Sequence, residues 1–115
     1  MKQEIKDKWV GALRSGEYQQ GKGALQRDGK FCCLGILSDL YAKENNVEWK
    51  DYRDGSDYKC FLGSMGILPF QVVQWAGLES VNPCVSSIHR SEPISRINDR
   101  GVSFTEIADL IEKNF

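Results

Sequence analysis

Phe31-Cys32-Cys33-Leu34-Gly35-Ile36-Leu37 is the longest apolar run in the chain, and no solvent-facing element tolerates it. Cys33 to Glu44, with Leu34, Ile36, Leu37, Leu40 and Tyr41, reads as a helix whose first two turns are apolar nearly all round and which Asn45-Asn46 ends. Such a helix is buried on every side, so it is expected to be the central element of the fold. Gly35 costs roughly 1 kcal/mol relative to alanine in a helix interior, so its presence predicts a tight backbone approach there. The run is about a third of the length needed to cross a bilayer, which leaves a protein core as its destination.

The remaining sequence supplies elements to cover that helix. Residues 2–15 place Ile5, Trp9, Ala12 and Leu13 on one helical face, with Arg14 in the last turn and Gly16 beyond it. Residues 25–32 form a hairpin turning at Asp28-Gly29, because that dipeptide accepts the positive φ angles of a type I′ turn. A second hairpin alternates Val47 and Trp49 with polar residues, turns at Asp54-Gly55 and returns through Tyr58 and Cys60. Pro69 to Ala76 is a short helix closed by Gly77, with Val72, Trp75 and Ala76 as its expected buried face. Asn82-Pro83 marks a turn, and Ile94 to Asn98 one short helical turn. Ser103-Phe104-Thr105-Glu106 is a capping box opening a last helix that buries Phe104, Ile107, Ala108 and Ile111. The expectation is one α+β domain over residues 1–115, helix-rich, with one or two short hairpins packed on a central buried helix.

Composition excludes several function classes. The chain has 115 residues and a formal net charge of −1, too little positive charge for a duplex nucleic-acid binder. That value is an average. Residues 1–30 carry +3, residues 31–60 carry −2, and residues 61–88 hold a single charge, Glu79. A charge-poor stretch is core or dry contact surface, and Gly63, Ser64, Gly66, Gln71, Gln74 and Asn82 are poor core material, which leaves core on one side and a pocket or oligomer interface on the other as equal readings. The four cysteines lack the C-x-x-C spacing of a zinc site and read as reduced thiols in a cytosolic core. No apolar h-region follows the basic start, so a soluble, cytoplasmic protein is expected. His89 is the only histidine, and no nucleophile has a base at a recognisable spacing, which points away from an enzyme. No metal or cofactor is expected.

Two groups of residues suit an anionic ligand. In Gly21-Lys22-Gly23 the glycines let successive amides face one concavity and the lysine adds charge, although P-loop spacing is absent and the plainer reading of such a string is a turn. His89-Arg90, Arg96 and Arg100 make a second basic cluster whose plainer reading is a solvated surface balanced by Glu92 and Asp99. Trp75 and Trp49 are candidates for base stacking, whereas Trp9 sits on an amphipathic face and reads as core.

The strings Lys8 to Gly16, Gln20 to Leu25, Phe31 to Leu37, Leu68-Pro69 running to Trp75-Ala76-Gly77-Leu78, and Asn98-Asp99-Arg100-Gly101 with Phe104 to Ala108 carry a resemblance. Together they resemble short proteins encoded by tailed phages and prophages, across most of the chain except roughly residues 45–62. That group is mostly uncharacterised, but small phage proteins of this size often antagonise bacterial immunity, and by that analogy an anti-defence role is expected. A recurrent strategy among such proteins is the sponge, usually oligomeric, that binds a cyclic oligonucleotide or ADP-ribose-derived immune signal without cleaving it. On that reading Lys22 and the amides of Gly21 and Gly23 hold phosphate, Arg90 or Arg96 assists, and Trp75 or Tyr18 stacks the base. An alternative is a protein–protein inhibitor of a defence effector or nuclease, with Asp39, Glu44, Glu48, Asp51, Asp54 and Asp57 imitating nucleic acid. Lysines and Arg53 interrupt that acidic series. A small hydrolase of a signal nucleotide is the third reading.

Overall fold

The apolar block becomes helix α2 (Cys33–Asn45), in which every residue from Cys33 to Ser38 is buried. The computed structural model describes residues 1–86 and 90–115. Cys32 caps α2, its sulfur accepting from the Gly35 amide, and Asn46 ends it in the left-handed region at φ 55°. Helix α1 (Gln3–Arg14) lays Ile5, Trp9, Val10 and Leu13 against the core, and Trp9 Nε1 donates to the Cys33 carbonyl at 2.9 Å. Helix α5 (Phe104–Asn114) packs along α1; Ser103 accepts from the Glu106 amide and so supplies the expected cap.

Both predicted hairpins form and join into one sheet. Strands β1 (Gln26–Arg27) and β2 (Lys30–Phe31) flank Asp28 and Gly29, at φ 51° and 75°, which is the type I′ signature. Strands β3 (Lys50–Asp51) and β4 (Tyr58–Cys60) form the second hairpin, and β4 pairs with β1 to give the antiparallel order β2-β1-β4-β3. Helix α3 (Phe70–Ala76) follows Pro69 and ends on Gly77. Its buried residues are Val72, Val73 and Ala76, so Val73 takes the place expected for Trp75. A third hairpin, β5 (Cys84–Ser86) with β6 (Ser91–Pro93), precedes α4 (Ile94–Asp99). The whole is an α+β domain.

The predicted approach at Gly35 is severe. A Cβ added there would stand 1.8 Å from the Leu25 carbonyl oxygen, so the segment leading into β1 lies directly on the helix backbone. The thiols divide two and two. Cys32 and Cys33 are buried, whereas Cys60 is half-buried and Cys84 exposed, so the expectation of four core thiols is corrected. Burial raises the Cys32 thiol to about 11 and Cys33 well above its ordinary value, which keeps both protonated and structural.

Candidate functional site

Three of the sequence strings meet at one side chain. Asn98, fully buried near the end of α4, accepts at Oδ1 from the Cys33 amide (3.2 Å) and Gln20 Nε2 (3.1 Å). Its Nδ2 donates to the Gly21 carbonyl (2.9 Å) and to Asp99 Oδ1 (3.2 Å). Asp99 Oδ1 also accepts the Gly23 amide at 3.0 Å, and Gln20 Nε2 reaches the Val102 carbonyl at 2.8 Å. The Gly-Lys-Gly loop is thereby fixed to the N-terminus of α2 and to the turn after α4. A backbone held by this many bonds is preorganised, which lowers the ordering cost of binding.

The same loop is fastened to the first hairpin. Gly21 N donates to the Phe31 carbonyl (2.7 Å) and Phe31 N to the Gln19 carbonyl (2.8 Å), with Gln20 bridging Phe31 in parallel. Gly21 is glycine for contact reasons, since an added Cβ would meet Lys30 Cβ at 2.9 Å. Between loop and hairpin lies a cleft of about 370 Å³ lined by Gln20, Gly21, Lys22, Arg27, Asp28, Lys30 and Asp57. Five of those side chains are charged, and none of them joins an ion pair among the described residues. Arg27 is steadied instead over the Tyr58 ring, 4.7 Å from its centroid.

The predicted site residues are only partly brought together. Gly21 and Lys22 line the cleft, and Gly23 stands beside it. The amides of Gly21 and Gly23 are already bonded to Phe31 and Asp99, so side chains, not those amides, are what the cleft offers an anion. Tyr18 faces away: its hydroxyl donates to Asp39 Oδ2 at 2.6 Å, and its ring meets Phe31 edge-on. Burial first, then the Asp39 carboxylate, push its phenol upward. Trp75 packs edge-on against Tyr41, which begins a ring series through Phe61, Trp49 and Phe31 to Tyr18. Trp49 Nε1 closes the series on Asp39 at 3.0 Å. These rings brace α2 and do not line the cleft.

Arg90 and Arg96 belong to a different cluster, centred on Glu92 of β6, whose side chain is 3% exposed. Arg100 Nη1 donates to Oε1 at 2.6 Å; Arg90 Nε stands 3.2 Å from Oε2, close enough to pair but not aligned to donate. Arg100, followed by the fields of Arg90 and Arg96, holds this carboxyl below its ordinary 4.5, against the opposing effect of burial. The balancing acid named from sequence is present, but buried. His89 lies outside the described residues.

A larger open groove of about 1060 Å³ runs beside α5, over Ile97, Val102 and Leu110. Most of its polar rim is committed internally, with Lys113 the exception among the described residues. Asp109 and Glu112 pair with Arg14, Arg100 with Glu92, and the Asn114 amide brackets the backbone of Ser86. The smaller cleft is therefore the better candidate.

A family model described as a domain of unknown function, DUF8296, matches residues 1–115. The chain belongs to the DUF8296 family. No curated protein and no solved structure matches it. Of the residues lining this DUF8296 chain's cleft, the sequence singled out Gly21 and Lys22 for an anion, read Asp28 as a turn residue and Asp57 as part of an acidic series, and did not single out Arg27 or Lys30. The available signal was the hairpin itself, since a type I′ turn places the residues on either side of its tip together. The docking of the glycine loop beside it had no local signature. Among the described residues no three His, Cys, Asp or Glu side chains could jointly hold a metal, and no helix is long and apolar enough to cross a membrane.

Proposed function

We propose that this protein is a non-catalytic binder of a small phosphate-bearing ligand, held by Lys22, Arg27 and Lys30. The observation that carries the reading is the cleft with three cations that join no ion pair among the described residues. Unpaired cations around one concavity suit an anion, and each charge-assisted hydrogen bond contributes about 1.5–3 kcal/mol. The biological role we attach to this is sequestration of a nucleotide-derived immune signal in the bacterial cytoplasm, by analogy with small phage proteins of similar size that act against bacterial defence.

The experiment is calorimetric titration with cyclic oligonucleotides and ADP-ribose derivatives, followed by denaturation and analysis of the released material. Recovery of intact ligand is expected, with a Lys22→Ala/Lys30→Ala variant binding at least ten-fold more weakly, consistent with the loss of roughly 1.5 kcal/mol or more. Cleaved products would identify an enzyme instead. Equal affinity in the double variant would remove the cleft from the mechanism.

A second reading has its own observation. Residues 61–78 carry no charge, and among them Phe70 is 65% exposed, Ile67 44% and Leu62 40%. Apolar side chains left in solvent on a charge-free segment favour a protein partner, a second copy included.

A further inference from the structure

The cleft holds two carboxylates as well as three cations, and phosphate alone leaves them unexplained. Asp28 sits at the tip of the first hairpin and Asp57 just before β4, and the Asp28 amide donates to the Asp57 carbonyl at 2.8 Å. Both side chains are solvent-exposed and join no ion pair among the described residues. An ionised carboxylate only accepts hydrogen bonds, and a phosphate dianion offers no donor. A single metal-free ligand that suits all five groups carries hydroxyl or amine donors next to its phosphate.

From this we infer that the cleft selects ribose phosphates, with Asp28 and Asp57 accepting from the sugar hydroxyls while the three cations hold the phosphate. The inference rests on the phosphate reading above and narrows it. Acidic residues accept from ribose hydroxyls in the same way in dinucleotide-binding folds. A volume of about 370 Å³ lies at the lower end of ligand sites, enough for a sugar and phosphate but small for a whole dinucleotide. Among the described residues no aromatic ring lines the cleft, and the nearby Tyr58 face is covered by Arg27. The base is consequently left outside, and recognition is indifferent to its identity.

The test is an NMR titration of the full chain, in EDTA, with adenosine and cytidine 5′-monophosphates and their 2′-deoxy counterparts. Chemical-shift changes at Gly21, Lys22, Lys30 and Asp57 read dissociation constants into the millimolar range. The two ribonucleotides are expected to bind within a few-fold of each other, and each about ten-fold more tightly than its deoxy form, because a site built to bond a hydroxyl rejects the analogue lacking it. Asp57→Ala is expected to erase that preference while leaving deoxynucleotide binding equal or tighter, since it removes a negative charge near phosphate. Asp28→Asn, which suits the same left-handed turn position, should weaken the preference without disturbing the hairpin. Equal binding of ribo and deoxy forms would overturn the ribose inference and leave the phosphate reading standing. Binding that appears only with added magnesium would overturn it too, by assigning the carboxylates to a cation. Absence of cleft shifts with all four nucleotides would overturn the phosphate reading itself.

Discussion

Asn98 makes four hydrogen bonds with one buried amide, and each serves a different part of the chain. Its carboxamide is the only kind of side chain that can accept from Cys33 and Gln20 while donating to Gly21 and Asp99 from the same position. Truncation to alanine would leave the Cys33 amide and the Gly21 carbonyl short of their partners, and each buried unsatisfied group costs about 1–3 kcal/mol. Asn98→Ala is expected to lose roughly 2–4 kcal/mol of stability, read as a lower urea midpoint, and to free the Gly-Lys-Gly loop. Amide exchange at Gly23 should rise beyond what global destabilisation explains, since Asp99 would lose its second partner. A variant with wild-type exchange in the loop would show that the hairpin contacts alone hold it. Asp99 was legible in the sequence only as a balancing charge, because hydrogen bonding to a distant backbone amide leaves no mark on local pattern.

At the scale of elements, α2 and the entry to the first hairpin meet with almost no separation. Gly35 sits under the Leu25 carbonyl, where backbone atoms cannot yield as a flexible side chain would. Gly35→Ala gains about 1 kcal/mol in helix propensity. The 1.8 Å clash must nevertheless displace either α2 or the hairpin, and overpacking of that kind typically costs 1–3 kcal/mol, occasionally more. The expected net result is a destabilised protein whose cleft is also distorted, measured as a lower melting temperature together with weaker nucleotide binding; a more stable alanine variant would refute the close approach. The glycine was readable because its propensity cost lay inside an otherwise strong helix. The hairpins at Asp28-Gly29 and Asp54-Gly55 were readable for a similar reason, since turn chemistry is local. What joined them was not: β1 pairs with β4 across a buried helix, and two- or three-residue strands carry too little alternation to declare partners. The β5–β6 hairpin escaped for the same reason, and Trp75 was misplaced because the α3 periodicity allowed either Val73 or Trp75 inward.

Across the whole molecule, one buried carboxylate links the third hairpin to the turn that holds the site. Glu92 of β6 binds Arg100, two residues beyond Asn98, with Arg90 and Arg96 adding positive field. A carboxyl whose pKa is lowered on folding contributes stability above its unfolded value, here near 4.5, and that contribution disappears as pH falls through the depressed folded value. Glu92→Gln keeps the shape but leaves three arginines without their shared counterion, so the variant should melt below the wild type at pH 7. The gap should then narrow steadily as pH drops below 4.5, because the wild-type carboxyl becomes protonated while the glutamine does not change. Comparing the two proteins cancels acid effects from the other carboxylates, such as the exposed Asp109 and Glu112 paired with Arg14. Melting curves from pH 7 to pH 3 decide the matter, and a gap that stays constant through this window would mean that the cluster contributes packing but no charge. If the gap closes, nucleotide affinity should fall over the same range as Arg100 loosens and takes the Asn98-Asp99 turn with it.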